Sequence, residues 1–128
     1  MKYADSRTTG RTTGNTAVGY ESLMGSTTPA NNTGGSNSAF GYLTLKSNTS
    51  GFRNTAIGFA ALESLNDATW SNVSQNDATG AYALQKLVTG VGNVVNGYSS
   101  GQNLTSGNNN VIIGDNSANT VNGCTLYL

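Results

Sequence analysis

Polar and apolar positions return along this chain at nearly fixed distance. Aligned on the glycine of Asn-Thr-Ala-Ile-Gly, six copies stand at NTAVG (15–19), NSAFG (37–41), NTAIG (54–58), NDATG (76–80), NVVNG (93–97) and NVIIG (110–114). Their glycines, Gly19, Gly41, Gly58, Gly80, Gly97 and Gly114, lie 22, 17, 22, 17 and 17 residues apart. The unit is therefore 17 residues, with two insertions of five, one around Pro29 and one around Trp70. Each copy opens on asparagine: Asn15, Asn37, Asn54, Asn76, Asn93 and Asn110. Two places on stand Ala17, Ala39, Ala56, Ala78, Val95 and Ile112, followed by Val18, Phe40, Ile57, Thr79, Asn96 and Ile113. Behind the glycine come Tyr20, Tyr42, Phe59, Ala81, Tyr98 and Asp115. Further back lie two leucine-rich columns, Leu23, Leu45, Leu62 and Leu84, then Leu65, Leu87 and Leu104.

A unit of this length is too short for a helix hairpin and too long for one strand with a tight turn. It predicts one coil of a solenoid, with two short strands and two turns. Glycine supplies the close approach or positive φ that each corner needs. An asparagine in every coil predicts a hydrogen-bonded ladder of stacked amides. The small alanines let strands pack closely, and the aliphatic and aromatic columns, Ile57 and Leu62 among them, are expected to stack as core. The fold class is all-β, a parallel β-solenoid or β-roll of about six 17-residue coils. At ~4.8 Å per coil the stack is roughly 25–30 Å tall. GFAALESL and GAYALQKL hold good helix formers and admit a short helix in each repeat. GYSSGQNL and GDNSANTV, in the same register, do not. The chain divides into an arm or cap (1–14), the repeats (15–123, insertions near 25–36 and 66–75) and a C-terminal end (124–128).

Such a coil holds few large side chains. Thr79 and Asn96 interrupt the main apolar column, and the Tyr/Phe and Leu columns cannot all point into one thin interior. One set is expected to face another chain, which predicts a homotrimer. The rival is a monomeric solenoid with an apolar outer stripe. Tyr20, Tyr42, Phe59, Trp70 and Tyr98 are the candidate interface or ligand contacts.

Composition narrows the chemistry. The chain has 128 residues, zero formal net charge, and only 9% charged residues. Strong periodicity at low charge argues for regular structure rather than disorder. Scattered Lys2, Arg7, Arg11, Lys46, Arg53 and Lys86 form no basic patch, so nucleic-acid binding is not expected. The absence of histidine removes the commonest general base, and the single Cys124 rules out an intrachain disulfide framework or a multi-cysteine zinc site. Glu63 and Asp67 read as solvated charges rather than a glycosidase pair. TGVGNVVNG (89–97) mimics a dinucleotide loop without its strand–helix context. Corner residues are Asn or Gly rather than Asp, which speaks against calcium repeats, and threonines cluster in linkers rather than in an ice-binding array. Neither a catalytic group, a metal nor a cofactor is expected. No run is long enough for a membrane span.

The Asn-x-Ala-Ile/Val-Gly motif resembles the head repeats of YadA-like trimeric autotransporter adhesins, a left-handed parallel β-roll. The longer variant, NTAVGYESL and NTSGFRNTAIGFAAL, is similar to repeats in bacteriophage fibres and other virion surface proteins, as is GNNNVIIGDNSAN (107–119). The resemblance covers Asn15 to about Asn122. It implies a trimeric exposed scaffold, used for several purposes. The units are longer than in the usual adhesin head, and no heptad stalk, anchor barrel or trailing chaperone domain accompanies them. The chain is then a fragment or a small complete protein whose segment MKYADSRTTGRTTG is an attachment arm. The expected role is a non-enzymatic structural protein on a phage virion surface. Two placements fit: a capsid decoration (cement) trimer bound to other virion proteins, or a tail-fibre segment facing a host glycan. The alternative is the head of a bacterial adhesin on the cell surface.

Overall fold

The computed structural model describes residues 14–28, 31–66, 74–117 and 126–127. Most of the N-terminal arm, Pro29, Asp67, Trp70 and Cys124 lie outside the described residues. Among the described residues, seven strands form one sheet in sequence order: β1 Thr16–Val18, β2 Ser38–Phe40, β3 Thr55–Ile57, β4 Asp77–Thr79, β5 Val94–Asn96, β6 Val111–Ile113 and β7 Leu126–Tyr127. Every neighbouring pair is parallel, and the motif copies face one another column for column: Ala17 opposite Ala39, Ala39 opposite Ala56, Ala56 opposite Ala78, then Val95 and Ile112. The result is a β-solenoid-like stack, with one short strand per circuit of the chain. The two insertions enlarge circuits without disturbing this register.

Within each of β1 to β6 the middle residue is buried and the last is not fully covered. The interior is built from the Ala column, Leu23, Leu45, Leu62 and Leu84, and Leu65, Leu87 and Leu104. One substitution along a column is compensated in another. Where the first leucine column reaches Gly101, the alanine column has grown to Val95 and Ile112. A methyl group built on Gly101 meets Ile112 Cδ1 at 3.2 Å and Leu84 Cδ2 at 2.9 Å, so the isoleucine fills the space a leucine would take.

Three features refine the picture. First, the second strand of each circuit shrinks to a single parallel bridge, Thr89 to Ser106, among the described residues. Second, in agreement with the all-β expectation, the alanine- and leucine-rich segments form no helix. Their residues alternate into the left-handed region, as at Ala60 (φ 53°) and Leu62 (φ 51°), or Tyr82 (φ 61°) and Leu84 (φ 49°). This alternation turns successive amides toward neighbouring circuits: Ala60 N–H donates to the Tyr42 carbonyl (2.8 Å) and Leu62 N–H to that of Ala83 (3.0 Å). Bonds between circuits thereby override helix propensity and offset a left-handed cost of about 1–2 kcal/mol per residue. Third, a seventh strand closes the sheet. Val111 faces Leu126, fifteen residues on, and neither an Asn-x-Ala motif nor the 17-residue spacing announces it.

The residue before each ladder asparagine is also left-handed: Gly14, Ser36, Arg53, Gln75, Gly92 and Asn109, with φ between 49° and 70°. Ser36 (φ 58°) is exposed. Ser36→Gly is expected to raise stability by about 0.5 kcal/mol, because relief of the left-handed penalty outweighs the added chain entropy. Urea unfolding measures it; a destabilised variant would contradict this assignment.

Candidate functional site

Asparagines brace the stack. Asn37 Nδ2 donates to Asn15 Oδ1 (3.2 Å), Asn54 to Asn37 (3.0 Å), Asn76 to Asn54 (3.2 Å), Asn93 to Asn76 (2.8 Å) and Asn110 to Asn93 (2.9 Å). Each of these oxygens also accepts the backbone N–H of the next asparagine, at 2.8 to 3.1 Å. The remaining amide hydrogen of Asn15, Asn37, Asn76 and Asn93 reaches the carbonyl of Gly34, Gly51, Gly90 and Gly107. Amides bonded to one another and to the backbone of neighbouring circuits bring rigidity. Asn110 ends the run, and its Oδ1 has no donor among the described residues.

The outward face is unusually apolar. Ile57 (43% exposed), Val18, Phe40 and Ile113 all point to solvent. The column expected to be the main core therefore lies outside, and the alanine column lies inside. Strand alternation explains the correction: Asn54 and Ala56 share the buried parity, which leaves Thr55 and Ile57 outward. Beside this column Tyr20 (63% exposed), Tyr42, Phe59 and Tyr98 are also exposed. Their rings form one continuous series. Tyr20 stacks on Tyr42 (centroids 5.3 Å, planes at 13°) and Tyr42 on Phe59 (5.0 Å, 13°). Phe59 then meets Tyr82 edge-on at 5.1 Å, and Tyr82 meets Tyr98 at 6.0 Å. Column alignment placed Ala81 in this series. The ring comes instead from Tyr82, one residue later, a position whose aromatic side chain was its only signal. Trp70, the remaining contact candidate, lies outside the described residues.

Polar groups flank the stripe. Lys46 Nζ lies 2.8 Å from Glu21 Oε2. The hydrogen bond from Lys46 holds the Glu21 carboxyl below its usual range, and the same bond raises the Lys46 ammonium. The Tyr20 hydroxyl, bonded to Glu21, is raised as well. All three groups are solvated, and the cluster borders the edge of the stripe. A second polar run links Gln102 Nε2 to Gln85 Oε1 (2.9 Å) and Gln85 Nε2 to Glu63 Oε2 (2.9 Å). The glycine-rich stretch 89–97 supplies the Thr89 bridge, ladder residue Asn93 and β5. Among the described residues, no His/Cys/Asp/Glu group is arranged to hold a metal, and no helix is long and apolar enough to cross a membrane.

Comparison with known protein families, characterised proteins and solved structures gives no match to this chain.

Proposed function

We propose that this chain is a non-enzymatic structural protein of a bacteriophage virion, a homotrimer of six-coil β-rolls displayed on the particle surface. The observation that carries the reading is the double stripe of exposed apolar side chains running the length of a rigid stack. Exposed residues of this kind present roughly 100 Å² each. The eight residues Val18, Tyr20, Phe40, Tyr42, Ile57, Phe59, Tyr98 and Ile113 therefore offer on the order of 800 Å², about one partner's share of a standard interface. Monomeric proteins rarely leave so large a patch in water. Packing against like chains covers it, and the amide ladders supply the stiffness that a scaffold needs.

The aromatic geometry favours a protein contact over a sugar platform. Tyr42 lies between Tyr20 and Phe59, so both faces of its ring are taken and only its edge is offered. A sugar stacking on this run needs an open face. This favours the decoration placement over a glycan-reading fibre tip or adhesin head. Those two remain carried by the repeat resemblance. Gold-labelled antibody against the chain, applied to purified phage particles and to whole bacteria, tests the placement. Label on capsids or tails is expected; label on bacterial cells alone would overturn it in favour of an adhesin.

A further inference from the structure

Among the described residues, one asparagine is followed by glycine: Asn96, the last residue of β5, near the end of the glycine-rich stretch 89–97. The fold explains the glycine and not the asparagine. Gly97 is a corner with φ 141°, and a Cβ there meets the Gly114 carbonyl oxygen at 2.6 Å and its carbon at 2.7 Å. The place before the corner is less constrained, holding Val18, Phe40, Ile57, Thr79 and Ile113 in the other circuits. Asparagine at this place sets an amide side chain beside the main-chain nitrogen that can attack it, and glycine brings no side chain to hinder ring closure. We infer that Asn96 is a site of spontaneous deamidation, and that its conversion puts a carboxylate into the exposed stripe and loosens self-association. The loosening rests on the self-association proposed above; the modification does not.

The step balances without an oxidant or reductant. The Gly97 nitrogen loses its proton and attacks Asn96 Cγ. A five-membered succinimide closes as the Cγ–Nδ2 bond breaks, and Nδ2 leaves as ammonia. Water then opens the ring at either carbonyl. Opening at Cγ gives aspartate. Opening at the main-chain carbonyl gives isoaspartate, whose main chain runs through Cγ and is one carbon longer. Either product carries one new negative charge.

The sheet controls the rate. The peptide group between residues 96 and 97 is held from both sides: Gly97 N–H donates to the Thr79 carbonyl (2.9 Å), and the Asn96 carbonyl accepts from Gly114 N–H (2.9 Å). Ring closure needs that nitrogen turned onto its own side chain, so only molecules in which β5 has parted locally from its neighbours react. The Asn96 side chain itself faces solvent. Its column, Val18, Phe40, Ile57, Thr79, Asn96 and Ile113, holds no charge before conversion. A carboxylate covered by another chain without a partner is costly. The longer main chain of isoaspartate also spoils the pairing of β5 with β6.

Ageing reads this directly, in an Asn122→Gln background that removes the chain's other Asn-Gly pair. At body temperature and neutral pH, peptide mapping by mass spectrometry is expected to find aspartate and isoaspartate at position 96. Conversion is expected about ten- to a hundredfold more slowly than in the free peptide of residues 91–101. Single chains seen by light scattering are expected to rise in step with it. Asn96→Gln, which must close a six-membered ring, is expected to stay assembled over the same period. Fresh Asn96→Asp is expected at the mass of one chain, with the circular dichroism of the parent. A position 96 still intact after roughly a thousand peptide half-lives would overturn the modification, and conversion as fast as in the peptide would remove the control by the sheet. Converted protein that keeps its full mass, or Asn96→Gln that falls apart equally on ageing, would overturn the release. A fresh intact chain that is monomeric would defeat the proposed function and the release with it, while the peptide map would still decide the modification.

Discussion

Gly58→Val is expected to destabilise the chain by about 4 kcal/mol or more, lowering the melting temperature by more than 10 °C. Two effects combine. Gly58 has φ 129°, a conformation closed to a β-branched residue. A Cβ there also meets the Gly80 carbonyl oxygen at 2.6 Å, its carbon at 2.7 Å and the Ala81 nitrogen at 3.0 Å, all backbone of the next circuit. No rotamer change relieves a clash with backbone, so the circuits must separate. In a stack held by nearest neighbours, a break at its middle also uncouples the two halves. Thermal unfolding followed by circular dichroism measures the effect. A melt within two or three degrees of the parent would remove the corner argument.

The second large effect is expected at Asn76→Leu, at about 3–6 kcal/mol. The side chain donates to Asn54 Oδ1 and to the Gly90 carbonyl, and accepts from the backbone and side-chain N–H of Asn93. Leucine keeps the approximate volume and leaves the Asn93 backbone N–H and the Gly90 carbonyl buried without these partners. Asn76→Asp separates hydrogen bonding from size. A buried carboxylate lacks the donor and carries a charge, so its folded pKa is raised above the unfolded value. Stability is then highest when the acid is protonated and falls as pH rises through the folded pKa. Chemical denaturation across acid to neutral pH is expected to show Asn76→Asp gaining on the parent in acid. A difference from the parent that stays flat with pH would contradict a buried, coupled amide.

Much of this fold is legible from recurrence. An asparagine and a glycine at constant distance set the register, because a ladder and a corner each tolerate one residue type. The face each column takes is harder to read, since Ala56 and Ile57 are both apolar and hydrophobicity favours the larger as core. Parity decides otherwise: once the asparagine is placed inside, the alanine two residues on must follow it, and isoleucine faces water. The turns are less legible still. Left-handed conformations at Leu43, Leu62 or Leu84 have no composition signal, because they arise from bonds between circuits. For the same reason Tyr82, rather than the aligned Ala81, completes the aromatic series. The outer stripe is legible as a surplus of large side chains over available interior, and its aromatic members Tyr20, Tyr42, Phe59 and Tyr98 are legible with it, whereas the column of Val18, Phe40, Ile57 and Ile113 is not.

That surplus is the centre of the account, and molar mass by light scattering tests it most directly. The intact chain is expected at three times its 13.1 kDa mass. Ile57→Asp, which sets a charge in the middle of the exposed stripe, is expected at the mass of one chain, with its circular dichroism spectrum retained. An intact chain that stays monomeric at micromolar concentration, or an Ile57→Asp variant that still assembles, would contradict self-association through this face.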